Sequence, residues 1–110
     1  MNFDDYQELA SRTAGKRNYF EALANAAMGL AGETGEVVDA LKKALFHHAT
    51  PELDKAQIQD ELGDMLWYLS ELARLSGISL NSVATGNIDK LRRRFPEGFQ
   101  YGGVREGADK

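Results

Sequence analysis

Apolar residues recur at the spacing of α-helices along most of this sequence, and the alternation that is typical of β-strands is nearly absent. Both prolines of the chain, Pro51 and Pro96, stand where helices are expected to start or stop. Four helices with short connections predict an all-α fold, an antiparallel four-helix bundle. The predicted helices are residues 3–13, a long helix from about residues 19–22 to 47, a helix from an N-cap at Asp54 to Ser76, and a helix from an N-cap at Ser79 to the residue before Pro96.

The length of 110 residues indicates one domain, predicted over residues 1–101, with a flexible tail at residues 102–110. The chain has no cysteine, which excludes disulfides and a cysteine-based zinc site and is consistent with a reducing cytoplasm. The net charge of -4 argues against broad nucleic-acid binding. Because the sequence shows neither a signal-peptide pattern nor an apolar run long enough to span a bilayer, we expect a cytoplasmic protein without a membrane partner.

The third predicted helix has an unusually wide apolar arc, since Trp67, Tyr68 and Leu75 lie outside its main apolar stripe. A helix that is apolar on more than one face is usually buried on more than one side. In a chain this short, the second side is expected to meet another copy of the same chain.

Two acidic pairs interrupt the apolar pattern of the second and third helices. Glu33 lies at the edge of the stripe of the second helix, about 60° from its centre, and Glu36 lies about 120° away on the same side. Glu61 and Asp64 repeat this offset on the third helix. If the two helices pack antiparallel, the four carboxylates converge on one place.

Converging carboxylates at a core edge predict a metal site. Buried carboxylates are costly unless neutralised, and neighbouring carboxylates raise one another's pKa. A divalent cation resolves both problems, and an all-oxygen ligand set without cysteine selects a hard ion such as Mg²⁺, with Mn²⁺ as a substitute. One acidic pair at this spacing is common on a solvated helix face, but two pairs with a matched offset favour metal binding.

The fourth helix carries candidate phosphate ligands. Asn87 lies near the centre of its apolar stripe, where a buried amide needs hydrogen-bond partners, and Lys90 and Arg94 follow on the adjoining side. Asn87 either bonds a helix backbone or caps a neighbouring helix, and Lys90 and Arg94 either point to solvent or pair with acidic residues of a neighbour. Next to a carboxylate-metal cluster, the three residues are better suited to holding phosphate oxygens. Lys43 falls on the Glu36 side of the second helix, either as an ordinary last-turn cation or as a further phosphate ligand.

Two further features near the acidic pairs have competing interpretations. Trp67 and Tyr68 are interpreted first as core or interface residues, and a shelf for base stacking is the secondary hypothesis. Gly29, Gly32 and Gly35 surround the first acidic pair but do not form a phosphate-binding P-loop, since no Lys-Ser/Thr pair follows. Because glycines weaken a helix, we expect them to permit the close approach of another backbone or a ligand.

Three segments resemble the MazG-like family of nucleoside triphosphate pyrophosphohydrolases. Residues 29–37, GLAGETGEV, are similar to the first half of its acidic signature, and residues 60–69, DELGDMLWYL, to the second half. Residues 87–99, NIDKLRRRFPEGF, are similar to its downstream Asn-x-x-Lys and Arg-aromatic-Pro segment. The acidic motif alone is moderately specific, whereas the three segments in this order are strongly specific.

The resemblance implies an all-α enzyme that cleaves nucleoside or deoxynucleoside triphosphates between the α and β phosphates, with a monophosphate and pyrophosphate as products. It implies assembly as a homodimer or homotetramer and a role in nucleotide-pool housecleaning. It leaves the base and the sugar of the substrate open. The family's Mg²⁺-binding and catalytic positions correspond to Glu33, Glu36, Glu61 and Asp64.

Two other classes of protein compete with this interpretation. A di-iron carboxylate bundle would also place acidic groups inside four helices, but such sites use Glu-x-x-His, and no histidine follows Glu33 or Glu61 at that spacing. A non-enzymatic, metal-binding helical interaction module would explain the wide apolar arc of the third helix, but it leaves the matched carboxylates unexplained.

Overall fold

The computed structural model describes residues 1–47, 49 and 51–98, and within them the chain is all-α. This confirms the predicted fold class. The end of the predicted domain at residue 101 and the predicted tail at residues 102–110 lie outside the described residues. The four helices are α1 (Phe3–Ser11), α2 (Tyr19–Phe46), α3 (Lys55–Leu75) and α4 (Leu80–Arg94).

The starts of α3 and α4 follow the capping residues that the sequence predicts. The Asp54 carboxylate accepts a hydrogen bond from the backbone N–H of Gln57 at 3.1 Å. The Ser79 hydroxyl accepts one from the backbone N–H of Ser82 at 3.0 Å. Each cap satisfies an N–H that has no partner within its own helix, and this fixes where the helix begins.

Helix α1 is shorter than predicted, since it ends at Ser11. The backbone N–H of Thr13 bonds the Ala10 carbonyl at 3.0 Å, and the Thr13 hydroxyl donates to the same carbonyl at 2.7 Å. These three-residue contacts tighten the chain into a turn, because they satisfy the carbonyl that one more helical turn would use.

Helix α3 is central: α2 packs along it, and α1 and α4 also pack on it and on each other. Within the described residues α2 packs on α3 alone. The α2–α3 pair is antiparallel, because the Tyr19 hydroxyl at the start of α2 donates to the Leu75 carbonyl at the end of α3, and Glu33 meets Glu61 further along the contact. Apart from Leu80, the buried apolar side chains of the described residues are alanines, which lets the helix backbones approach closely: Ala10, Ala26, Ala40, Ala44 and Ala73.

The α3–α4 turn is tied to α1 by Gln7. The Gln7 amide donates to the Ile78 carbonyl at 3.1 Å and accepts from the backbone N–H of Leu80 at 3.1 Å. Between α3 and α4, Gly77 adopts a φ of 75°, a left-handed conformation that favours glycine. The predicted stop at Gly77 therefore has a conformational cause, and α1 holds Ile78 and Leu80 in place.

Large apolar side chains remain exposed on the outer side of α2, among them Phe20, Met28 and Phe46, which are 80%, 74% and 77% exposed. Uncovered apolar area of this kind marks interaction surfaces. The sequence predicts the contact with a second copy for α3, whose Trp67, Tyr68 and Leu75 are partly buried within the single chain. The exposed side of α2 is a further candidate surface for such a contact, and the oligomeric state stays a prediction. Among the described residues, no helix combines the length and the apolar character that crossing a membrane requires.

Candidate metal and nucleotide site

Helices α2 and α3 bring three of the four predicted carboxylates together. Oxygen atoms of Glu33, Glu61 and Asp64 all lie within 4.8 Å of one another. Glu33 and Glu61 are partly buried and Asp64 is exposed, as expected for residues at increasing angles from an apolar stripe. The matched offset of the two acidic pairs therefore corresponds to a real convergence across the α2–α3 contact.

The fourth predicted carboxylate, Glu36, is exposed and stands beside this group rather than within it. Its influence is electrostatic. The pKa of Glu61 is raised, first by a side-chain hydrogen bond with Glu33, then by burial, and then by the negative charges of Glu33, Glu36 and Asp64. The cluster therefore carries more negative charge than its surroundings neutralise.

The chemistry of this donor set fits a hard divalent cation. The ligand atoms are carboxylate oxygens only, and Mg²⁺ and Mn²⁺ prefer such ligands. The nearby cation Lys43 is occupied: its ammonium lies 2.8 Å from the Asp39 carboxylate, one turn earlier on α2. Because a bound cation would remove the mutual repulsion that raises the Glu61 pKa, the residues present fit the predicted metal.

A recess of about 320 Å³ adjoins the carboxylates and is lined by Glu33, Asp64, Trp67 and Tyr68. The two aromatic rings are packed edge to face, with centroids 5.1 Å apart and planes at 87°. One side of the recess is thus acidic and the other aromatic. This arrangement suits a ligand that has a metal-binding anionic end and a flat, weakly polar end.

Close packing of α2 against Tyr68 accounts for one of the three glycines near the first acidic pair. A Cβ atom added at Gly29 would overlap the Tyr68 ring, so the ring lies directly on the α2 backbone. A Cβ atom at Gly32 or Gly35 would meet nothing within 4 Å. At Gly29 the close approach is made by a side-chain ring, and not by the backbone or ligand that the sequence predicted. Among the described residues of the single chain, no neighbour explains Gly32 and Gly35.

Sequence reasoning did not identify Thr13, which lies in the connection between α1 and α2. The indole N–H of Trp67 donates a hydrogen bond to the Thr13 hydroxyl oxygen at 2.8 Å. This contact joins residues 54 positions apart in the chain, and no local pattern in the sequence signals it.

The candidate phosphate ligands of α4 do not line this recess. Asn87 is exposed, so the expectation that it is buried in the α4 stripe is wrong for the single chain. The physical reason is that α4 packs on α1 and α3 but leaves much of its stripe uncovered, including Ile88 and Leu91. Lys90 and Arg94 are partly buried on the same helix. The substrate roles of all three residues stay predictions.

Lys43, the remaining predicted phosphate ligand, lies near the acidic cluster. Its pKa is raised by the hydrogen bond and charge of Asp39, and Glu36 adds a smaller effect of the same sign. The ammonium is largely solvent-exposed in this pair. A surface pair of this kind is weak, so its geometry does not prevent Lys43 from turning toward an anion.

A carboxylate cluster between two antiparallel helices, beside an aromatic recess, defines an all-α protein with a candidate metal site. The profile of the MazG nucleotide pyrophosphohydrolase domain matches residues 21–99 of this chain. The chain belongs to this family, and the predicted resemblance is confirmed.

Individual relatives agree with the family. Gene 37 protein of Mycobacterium phage L5 is 35% identical over 109 residues, which cover 93% of this chain and 96% of that protein. Proteins named dCTP pyrophosphatase 1 from Bos taurus and Homo sapiens are each 28% identical over 99 residues, or 84% of this chain. Those residues are 59% and 58% of the mammalian proteins, so the chain spans less than two thirds of their length. No solved structure gave a significant match.

Proposed function

We propose that this chain hydrolyses nucleoside or deoxynucleoside triphosphates to the monophosphate and pyrophosphate in a Mg²⁺-dependent reaction, as a nucleotide-housecleaning enzyme. The observation that carries the proposal is the convergence of Glu33, Glu61 and Asp64 in a chain of the MazG family. The names of the mammalian relatives make dCTP the first substrate to test. The cytoplasmic location predicted from the sequence is retained as part of this proposal.

The four carboxylates have two tasks in this mechanism. Glu33, Glu61 and Asp64, with Glu36 beside them, would hold the metal through their oxygens. A bound metal would supply positive charge for the phosphate oxygens and would make a nearby water more acidic. One carboxylate of the cluster accepts the proton of the attacking water. Water adds to phosphorus, the α–β phosphoanhydride bond breaks, and the displaced oxygen leaves with pyrophosphate.

Cationic and amide groups complete the site in this proposal by balancing the triphosphate charge. Lys43 stands on the cluster's own helix, whereas Asn87, Lys90 and Arg94 are on α4, which does not pack on α2 within the described chain. The exposed apolar side of α2 supports assembly as a homodimer or homotetramer. In such an assembly, α4 of one copy contributes the phosphate ligands to the carboxylates of another.

The test is product analysis. The purified protein is incubated with Mg²⁺ and a panel of triphosphates that includes dCTP, and products are separated by ion-exchange chromatography. We expect a monophosphate and pyrophosphate, with turnover lost in Glu61→Gln and kept in Glu52→Gln, a change at an exposed glutamate of the α2–α3 connection. Diphosphate and phosphate as products would overturn the assignment of the cleaved bond. Full activity of Glu61→Gln would overturn the site.

A non-enzymatic, metal-binding interaction module is the second candidate, because the exposed apolar side chains of α2 favour a binding surface. The two functions differ in what the metal site does. Stabilisation by Mg²⁺ without turnover of any nucleotide in the panel would favour the module. Turnover that depends on Glu61 would exclude it.

A further inference from the structure

The Trp67 indole is held in one orientation by the connection between α1 and α2. Its N–H donates to the Thr13 hydroxyl oxygen at 2.8 Å, and the hydroxyl proton is itself donated to the Ala10 carbonyl at 2.7 Å. Because that proton is committed, a lone pair of the hydroxyl oxygen faces the indole. Thr13 therefore acts as a hydrogen-bond acceptor of fixed orientation for the Trp67 indole.

This orientation places the indole at the candidate site. Trp67 lies one helical turn beyond Asp64 on α3, and it lines the same 320 Å³ recess as Glu33 and Asp64. The Tyr68 ring meets it edge to face at 5.1 Å. Tyr68 in turn is seated on the backbone of Gly29. The indole is thus fixed by a hydrogen bond and by a ring that cannot recede into α2.

Trp67 also lines a cavity of about 30 Å³ next to the α1–α2 connection, together with Ala14, Gly15 and Arg17. The indole is therefore a wall between this connection and the carboxylates. The connection precedes the family match, which begins at residue 21. Thr13, which orients the Trp67 indole, thus lies outside the part of the chain that matches the family.

We propose that Trp67 contacts the nucleobase of the substrate and that Thr13 is the residue that positions it. The inference rests on the proposed function, which places the phosphates at the carboxylates. With the phosphates at the carboxylates, the neighbouring Trp67 indole is available to the nucleobase. An indole face stacks on any base, so the contact contributes affinity for the nucleoside part and little choice among bases.

The chain has one tryptophan, so its fluorescence reports on Trp67 directly. The wild-type protein with Mg²⁺ is titrated with a nucleoside triphosphate whose α–β bridge is a non-hydrolysable methylene group. Inorganic tripolyphosphate, which offers the phosphates without a base, is the matched control ligand. Calorimetry measures the binding of both ligands. We expect saturable quenching of Trp67 with the nucleotide analogue and little change with tripolyphosphate.

The possible outcomes separate this inference from the proposed function. Binding of the analogue without a change in fluorescence, or equal quenching by both ligands, overturns the base contact and leaves the proposed function standing. Failure of both ligands to bind overturns the proposed function and this inference with it. Quenching by the nucleotide analogue alone supports both.

Variants test the two residues separately. Trp67→Leu is expected to weaken binding of the analogue roughly five- to a hundredfold and to leave tripolyphosphate binding unchanged. Thr13→Val removes the acceptor while keeping the side-chain shape, and it is expected to raise KM with little effect on kcat. Thr13→Ser keeps the hydroxyl and is expected to restore the KM. Equal weakening of both ligands by Trp67→Leu, or a Thr13→Val protein with unchanged KM, would show a purely structural role.

Discussion

The ring of Tyr68 on α3 lies directly against the backbone of Gly29 on α2, in the space that a Cβ atom would occupy. Tyr68 also lines the recess beside Glu33 and Asp64. The same contact that sets how closely the two helices approach therefore sets one wall of the candidate site. Changes at Gly29 are expected to affect folding and activity together.

Gly29→Ala is expected to destabilise the protein even though alanine favours helices. The added methyl group forces the Tyr68 ring away from α2, and overpacking of this kind costs about 1–3 kcal/mol. The gain in helix propensity offsets up to about 1 kcal/mol of that cost. Urea denaturation is expected to show a lower midpoint, and kcat/KM is expected to fall because the recess changes shape.

Gly32→Ala is the matched control on the same helix. A Cβ atom there meets nothing within 4 Å in the single chain, so the change is expected to stabilise the protein by up to about 1 kcal/mol. If Gly29→Ala and Gly32→Ala shift the urea midpoint in the same direction and by the same amount, the packing of Tyr68 on α2 does not limit stability.

The helix boundaries and the carboxylate cluster follow from local rules, which is why the sequence predicts them. Asp54 and Ser79 cap helices through bonds to residues three positions away. Glu33 and Glu61 are identified by their angular offset from an apolar stripe, and that offset needs only the helical period. Convergence across α2 and α3 then requires one assumption, that consecutive helices pack antiparallel.

Contacts between segments that are distant in the sequence cannot be predicted from local rules. The hydrogen bond between Thr13 and Trp67 joins residues 54 positions apart, and it depends on how the turn after α1 packs against α3. The prediction that Asn87 is buried was wrong for a related reason. An apolar stripe predicts that a helix face is covered, but it does not predict whether the cover comes from the same chain.

The raised pKa of Glu61 predicts how the stability of the metal-free protein depends on pH. A folded-state pKa above the unfolded value means that the folded protein holds the proton more tightly. The resulting stabilisation is fully present below the ordinary pKa of 4.5 and is lost as the pH rises through the raised value. Glu61→Gln keeps a neutral side chain at every pH and is expected to lack this loss.

Urea denaturation in EDTA, repeated at several acidic pH values, gives the free energy of unfolding of wild type and of Glu61→Gln. The quantity to compare is the difference between the two proteins at each pH. We expect wild type to lose stability relative to the variant as the pH rises. A difference that stays flat, or that changes in the opposite direction, would contradict the hydrogen-bonded, repulsive arrangement of Glu33 and Glu61.

Saturating Mg²⁺ is expected to raise the melting temperature, because an ion that binds only the folded state stabilises it by about 2.7 kcal/mol at a hundred times its Kd. Glu33→Gln is expected to lose most of this shift and to lower kcat roughly 100-fold or more. Glu52→Gln, outside the cluster, is expected to keep both the shift and the activity. Equal Mg²⁺ shifts in the two variants would place the metal elsewhere.

A site shared between copies predicts that two impaired variants restore each other. Glu61→Gln damages the carboxylate cluster, and Lys90→Met removes a predicted phosphate ligand from α4, which does not pack on α2 within the described chain. If α4 of one copy serves the cluster of another, a mixed assembly contains sites in which both elements are intact. After the two variants are unfolded and refolded together, we expect activity well above that of either refolded alone. Activity no higher than the average of the separate variants would show that Lys90 acts in its own chain or not at all.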